Sequence, residues 1–147
     1  MKKVVSVLTL VLCAMFVFSC ATKKPATQKK TEASFKKVYD QYKGDLILEG
    51  ATTYTVKSGD TLSAISREKY HNGLYFPVIM LASSDVVLDP DQISPGMVLT
   101  IPDLQKNLNN EKAKISIKKF LFDIAKIEDG RDRAADAKAL RDLSMSL

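Results

Sequence analysis

Between residues 52 and 57 the chain is rich in β-branched and aromatic residues, and alternation places Tyr54 and Val56 on one face of an extended backbone. Ser58-Gly59 breaks that strand. Asp60 or Thr61 can then accept hydrogen bonds from the free N–H groups of a helix that starts there. Leu62 and Ile65 fall at helical spacing on its inner face. Asn72-Gly73 is the expected end of this helix, because both residues tolerate the left-handed conformation of a C-terminal cap. A second helix is predicted from about Tyr75, with Pro77 in its first turn and Phe76, Ile79 and Ala82 or Ser83 as its buried stripe. Pro95-Gly96 has the residue order of a type II turn. Residues 98–101 follow as a strand with Leu99 and Ile101 on one face, stopped by Pro102. The pattern predicts an α+β unit of order β-α-α-β, its two strands paired beneath two helices.

On either side the pattern is helical. Phe35, Val38, Tyr39 and Tyr42 lie at helical spacing and predict a short amphipathic helix within residues 32–51, followed by the brief apolar run Leu46-Ile47-Leu48, which can lie against the central unit. Lys36, Lys37 and Lys43 are the wet face of that helix, and no nucleic-acid contact is expected. After Pro102, Asp103 can cap a helix whose apolar residues include Leu108, Ile115, Ile117, Phe120, Leu121, Ile124 and Ile127 and which runs through Glu128. Gly130 breaks it, and residues 131–143 predict a second helix with Ala134, Ala137, Leu140 and Leu143 inside. Residues 104–147 therefore read as a helical hairpin. The hairpin either packs on the central unit, since about fifty residues make a marginal core, or presents a surface to another envelope protein.

The chain opens on Met1-Lys2-Lys3 and an apolar run over residues 4–18, too short to cross a bilayer comfortably, so residues 1–19 read as an export signal. Val17-Phe18-Ser19-Cys20 resembles a bacterial lipobox, in which a small residue precedes the cysteine that is lipidated. Of the two cysteines, Cys13 follows the bulky Leu12 and fits that pattern less well than Cys20. A thioether-linked diacylglycerol and an amide-linked chain such as palmitate on Cys20 would give the several acyl groups that stable anchoring needs. Cleavage before Cys20 leaves one cysteine, itself acylated, so no disulfide forms within the chain. The lysine-rich, proline-containing stretch to Thr31 makes residues 20–31 a lipidated flexible tether. Its lysines either meet anionic headgroups or are a solvated spacer. Localisation in the bacterial cell envelope, exported and held to a membrane by lipid, follows.

Charge and chemistry narrow the function further. The formal net charge of +5 comes from the flanks: within 52–102, Lys57, Arg67 and Lys69 are outnumbered by Asp60, Glu68, Asp85, Asp89 and Asp91. The central unit therefore suits an uncharged ligand better than a polyanion. The single histidine, His71, sits in a turn, and there is no Cys–His pair, Gly-x-Ser-x-Gly, metal-ligand spacing or phosphate-binding loop. Asp85, Asp89 and Asp91 lack the ligand spacing of a calcium loop, and Asp89-Pro90-Asp91 reads as a turn. No catalytic residue, metal or cofactor is expected; the chain binds and does not cut.

Two segments together, Tyr54-x-Val56-x-x-Gly59-Asp60-Thr61-Leu62 and Ile93-x-Pro95-Gly96-x-x-Leu99-x-Ile101-Pro102, resemble the LysM (lysin motif) domain, a βααβ carbohydrate-binding module, over residues 52–103. The family often carries Trp where Phe76 stands and Asn where Ser83 stands. The resemblance implies N-acetylglucosamine-containing glycan as ligand, here peptidoglycan, held between the loop after the first strand and the loop before the second. Carried over by position, these are Gly59, Asp60, Thr61 and Leu62, facing Gln92, Ile93 and Ser94. Gly59 would let a sugar approach the backbone, and Leu62 or Ile93 would offer apolar surface to the N-acetyl methyl and ring face. Each also has a structural role open to it: Gly59 as turn, Asp60 as helix cap, Ile93 as core. The expected partners are peptidoglycan or a related glycan, a membrane through the lipid, and, in the alternative reading, a wall hydrolase recruited or positioned by the C-terminal helices.

Overall fold

A computed structural model describes residues 26–147. The expected export signal at residues 1–19, the expected lipidation site Cys20 and the first residues of the expected tether lie outside the described residues.

The first helix, α1 (Ala26–Tyr42), presents Phe35, Tyr39 and Tyr42 to the core at the predicted spacing, with Val38 packed at the margin. It starts earlier than Glu32 and takes in residues 26–31 of the expected flexible tether. Ala, Gln and Lys are strong helix formers, so this turn continues a helix already nucleated by its buried stripe. A 3₁₀ turn at Lys43–Asp45 leads to strand β1 (Thr52–Thr55). Between them, Asn107 pins the connector: its Oδ1 accepts from Ile47 N–H at 2.8 Å and its Nδ2 donates to Ile47 C=O at 2.9 Å. Asn107 is fully buried, so the segment with Leu46-Ile47-Leu48 is fastened to the C-terminal region.

Helix α2 (Leu62–Tyr70) buries Leu62, Ile65 and Ser66. It does not end on Asn72-Gly73 as expected: His71 takes the left-handed conformation, φ 58°. Asn72 instead caps the next 3₁₀ turn, accepting from Leu74 N–H at 2.9 Å. Gly73 serves close approach, because a Cβ there would lie 3.0 Å from the Ser63 carbonyl oxygen. Helix α3 (Phe76–Ala82) has Pro77 in its first turn as predicted but is buried almost all round, from Pro77 to Leu81, while Phe76 is only half-buried. It contacts strand β2 (Val98–Ile101) and α2 on one side and a C-terminal helix on the other, which a one-face stripe did not foresee.

Strands β1 and β2 pair antiparallel, Thr52 opposite Ile101 and Thr55 opposite Val98. Leu99 and Ile101 face the core as predicted, and buried Ser83 ties α3 to β2 by accepting from Thr100 N–H at 2.9 Å. The fold is the α+β, βααβ unit with flanking helices.

The C-terminal region holds one helix more than expected. Helix α4 (Leu104–Asn109), capped by Asp103, stops at Asn110, whose extended backbone and side chain cap α5 (Glu111–Asp129). Asn favours caps because its amide competes for backbone groups, which explains the break. Gly130 ends α5 without positive φ, and Asp132 (φ 60°) makes the turn into α6 (Ala134–Ser146). The α5–α6 hairpin stands as predicted, with Ala137 and Leu140 buried, although Ala134 is exposed. Phe120 of α5 meets Tyr39 and Tyr42 of α1 at ring-centroid distances of 6.0 and 5.9 Å. Tyr42 donates to Asp123 at 2.8 Å. Burial, and then this bond, push its phenol up to about 12. One apolar core therefore runs from the βααβ unit through α5, and the flanks complete it.

Candidate functional site

Two turns define the candidate site, and the sheet brings them to one end. Val56 N–H donates to Met97 C=O at 2.8 Å and Gly96 N–H to Val56 C=O at 2.9 Å, directly beyond the Thr55–Val98 pair. The loop leaving β1 and the loop entering β2 are thereby neighbours.

In the first turn Asp60 N–H donates to Lys57 C=O at 3.2 Å, and Gly59 supplies the positive φ of 86°. The Asp60 carboxylate accepts from Lys57 N–H and from the Tyr54 hydroxyl, both at 2.8 Å. Those two bonds, the backbone one first, hold its carboxyl below the ordinary carboxylate range. Asp60 thus staples the turn, and Thr61 is the helix cap, its hydroxyl accepting from Ala64 N–H at 3.1 Å. Gly59 and Thr61 are exposed. Leu62 is 3% exposed and packs in the core, so it offers no surface to a sugar; this corrects its expected contact role. Among the named residues, the apolar surface at this end comes from Ile93, which is half-buried against the core.

The second turn is built around Asp89. Its carboxylate caps the 3₁₀ turn Pro90–Gln92 by accepting from Asp91 N–H at 3.0 Å, and the Gln92 amide donates to it at 3.3 Å. Met97 N–H then donates to Ser94 C=O at 3.1 Å across Pro95-Gly96, with Gly96 at φ 91°, as the type II order predicts. Ser94 is exposed and Gln92 half-buried. At this end Lys57, Ser58, Gly59, Thr61, Ser94 and Val98 are exposed and Ile93 is half-buried, so hydroxyls and aliphatic surface lie together, a set that can bind a neutral polar ligand with an apolar face. Among the described residues no group of three or more His, Cys, Asp or Glu is placed to hold a metal ion.

The residues that fix the second turn were not legible as such. Arg131, at the α5–α6 junction, reaches Asp91 at 2.5 Å, Asp89 at 3.1 Å and Glu128 at 3.2 Å, and its guanidinium lies 5.5 Å from the Phe35 ring centroid. Arg133 joins the same cluster through Glu128 at 3.2 Å and through Asp91. Asp89 and Glu128 are both buried. Burial raises the Glu128 carboxyl, with Arg131 and Arg133 opposing it. One arginine thus connects the βααβ unit, α1 and the hairpin.

Residues 54–102 match the family described as the LysM domain, so the chain carries a LysM domain there. LysM is a binding domain, generally non-catalytic, whose ligands are N-acetylglucosamine-containing glycans such as peptidoglycan. The chain is also similar to the potassium binding protein Kbp of Escherichia coli O6:H1, with 46% identity over 66 residues. That match covers 45% of this chain and 44% of the relative, so the chain spans less than half of the relative's length. No solved structure gives a significant match.

Proposed function

We propose that this protein is a non-catalytic peptidoglycan-binding lipoprotein, exported to the bacterial cell envelope and held to a membrane by lipid on Cys20. The observation that carries the reading is the LysM match combined with the neighbouring turns at one end of the sheet. Gly59, Asp60 and Thr61 on one turn and Gln92, Ile93 and Ser94 on the other form the cradle. The acidic balance of residues 52–102 favours a neutral sugar over a polyanion. Weak binding by one such cradle becomes retention once the chain is tethered, because the tether raises effective concentration.

The test is co-sedimentation of the processed chain, with Cys20→Ser to keep it soluble, on insoluble peptidoglycan. The protein is expected in the pellet at low salt and released by added chitooligosaccharide. Recovery in the supernatant at low salt overturns the reading. Exchanging potassium for sodium at equal ionic strength is expected to leave retention unchanged; the E. coli relative is named for potassium, and this control separates that property from glycan binding. Labelled palmitate is expected on the intact chain and absent from its Cys20→Ser variant.

A second reading, an adaptor that recruits a wall hydrolase, is favoured by one surface. Ile115, Phe122 and Met145 are exposed and line a cleft of about 330 Å³ with Tyr42. Deleting the hairpin does not discriminate, because Ile117, Phe120, Leu121 and Ile124 of α5 belong to the shared core. Phe122→Asp does: in the adaptor reading it abolishes a hydrolase contact and leaves glycan binding intact.

A further inference from the structure

Gln92 belongs to two surfaces. Besides its place in the second turn, it lines a cleft of about 930 Å³ between α1, the 89–92 turn and the α5–α6 junction. That volume is at the upper end of the roughly 300–1,000 Å³ typical of small-molecule clefts. The LysM domain supplies one side; the flanking helices supply the others.

Most of the charge around this cleft is already satisfied. Arg131 is bound to Asp89, Asp91 and Glu128, and Lys126 to Asp123 at 2.9 Å. Two charged residues of the lining remain outside any ion pair among the described residues: Lys30 on α1 and Asp132 in the α5–α6 turn. Asp132 is fixed by its backbone, with φ 60° and its N–H donating to Asp129 C=O at 3.2 Å. Thr31 and Ser34 add hydroxyls to the α1 wall. Among the described residues the lining thus offers one unpaired cation and one unpaired anion, both exposed, with a set of hydroxyls and amides, which match a short peptide that bears both carboxylate and ammonium groups. A neutral sugar chain has no use for that pair.

We infer that this cleft takes the stem peptide of peptidoglycan, while the two turns hold the sugar to which that peptide is attached. The inference rests on the peptidoglycan reading above and makes the flanking helices part of the binding surface. Lys30 pairs with a stem carboxylate and Asp132 with the amino group of the stem's diamino acid. Gln92 sits where sugar and peptide sites meet.

The experiment is calorimetric titration of the processed chain with three probes. These are chitotetraose, a peptidoglycan disaccharide fragment without peptide, and the same fragment carrying its stem peptide. The peptide-bearing fragment is expected to bind about tenfold more tightly than the peptide-free one, the combined worth of two exposed ion pairs. Lys30→Gln and Asp132→Asn are expected to remove most of that preference while leaving chitotetraose binding unchanged. Asn tolerates the left-handed conformation at 132, and melting curves check that both variants fold. Equal affinity for the two fragments overturns the inference and leaves the peptidoglycan reading standing. A preference for peptide that both variants retain also overturns it, because the peptide then binds elsewhere. Failure of all three probes to bind overturns the peptidoglycan reading itself.

Discussion

Arg131→Ala is expected to lower the stability of the fold by about 3 kcal/mol, the cost of leaving a buried charge without its partner, and to lower Tm by about 10 °C. The effect is large because the carboxylates left behind cannot return to water: the Glu128 and Asp89 side chains are 2% and 5% exposed. Arg133 stays within 3.2 Å of Glu128, which keeps the loss from being larger. The pH dependence has a definite sign. Burial raises the Glu128 carboxyl above its ordinary value, so the native state holds a proton where the unfolded chain has released it. Its contribution to stability is therefore present at low pH and lost as pH rises through the raised value. Arg131 opposes that rise, so its removal pushes the carboxyl higher still. The deficit of Arg131→Ala should thus be larger at pH 7.5 than at pH 5, as read by urea unfolding of variant and parent at both. A deficit that is the same at both, or below about 1 kcal/mol as for an exposed ion pair, contradicts the cluster's role.

Gly59→Val is expected to reduce chitooligosaccharide affinity at least about tenfold, the worth of one or two polar contacts, in a protein that still folds. At φ 86° a β-branched side chain is strained by roughly 1–3 kcal/mol, and the turn must re-form with its amides and carbonyls displaced. Nothing lies within 4 Å of a Cβ at this position, so the loss does not come from a packing clash. Gly50→Val is the matched control. Gly50 has φ 84° and equally open surroundings, but it precedes β1 at the other end of the sheet, beside His71 and Pro102. It should show comparable destabilisation and undiminished glycan affinity. Equal loss of affinity in both variants would mean that strain, and not the groove, sets the effect.

Much of the βααβ unit was legible because its signals are local. Strand alternation, Gly59 and Pro95-Gly96 each dictate backbone geometry within a few residues, and both strands and both turns stand where they were expected. The stripe of α1 was legible for the same reason. What failed was set by the tertiary fold. Asn72-Gly73 looked like a helix end, but Asn72 caps the next turn and Gly73 is needed against Ser63, which leaves the left-handed position to His71. The burial of α3 on every side follows from α5 lying across it, which no single-helix pattern records. Leu62 could be assigned to groove or core from sequence, and only its packing decides for the core. Arg131 and Asp89 are 42 positions apart, and neither carries a periodic signal that would join them. Lys30 and Asp132, unpaired among the described residues, became visible only once the other charged residues lining the cleft, Asp89, Asp91, Lys126 and Arg131, had found partners.

The most direct measurement is an NMR titration of the processed chain with chitotetraose, following every backbone amide. The account predicts that the largest shifts fall on Gly59, Asp60 and Thr61 together with Ile93 and Ser94, with His71 and Gly50 at the opposite end unmoved. Shifts centred on the α5–α6 hairpin, or none at millimolar sugar, would contradict it.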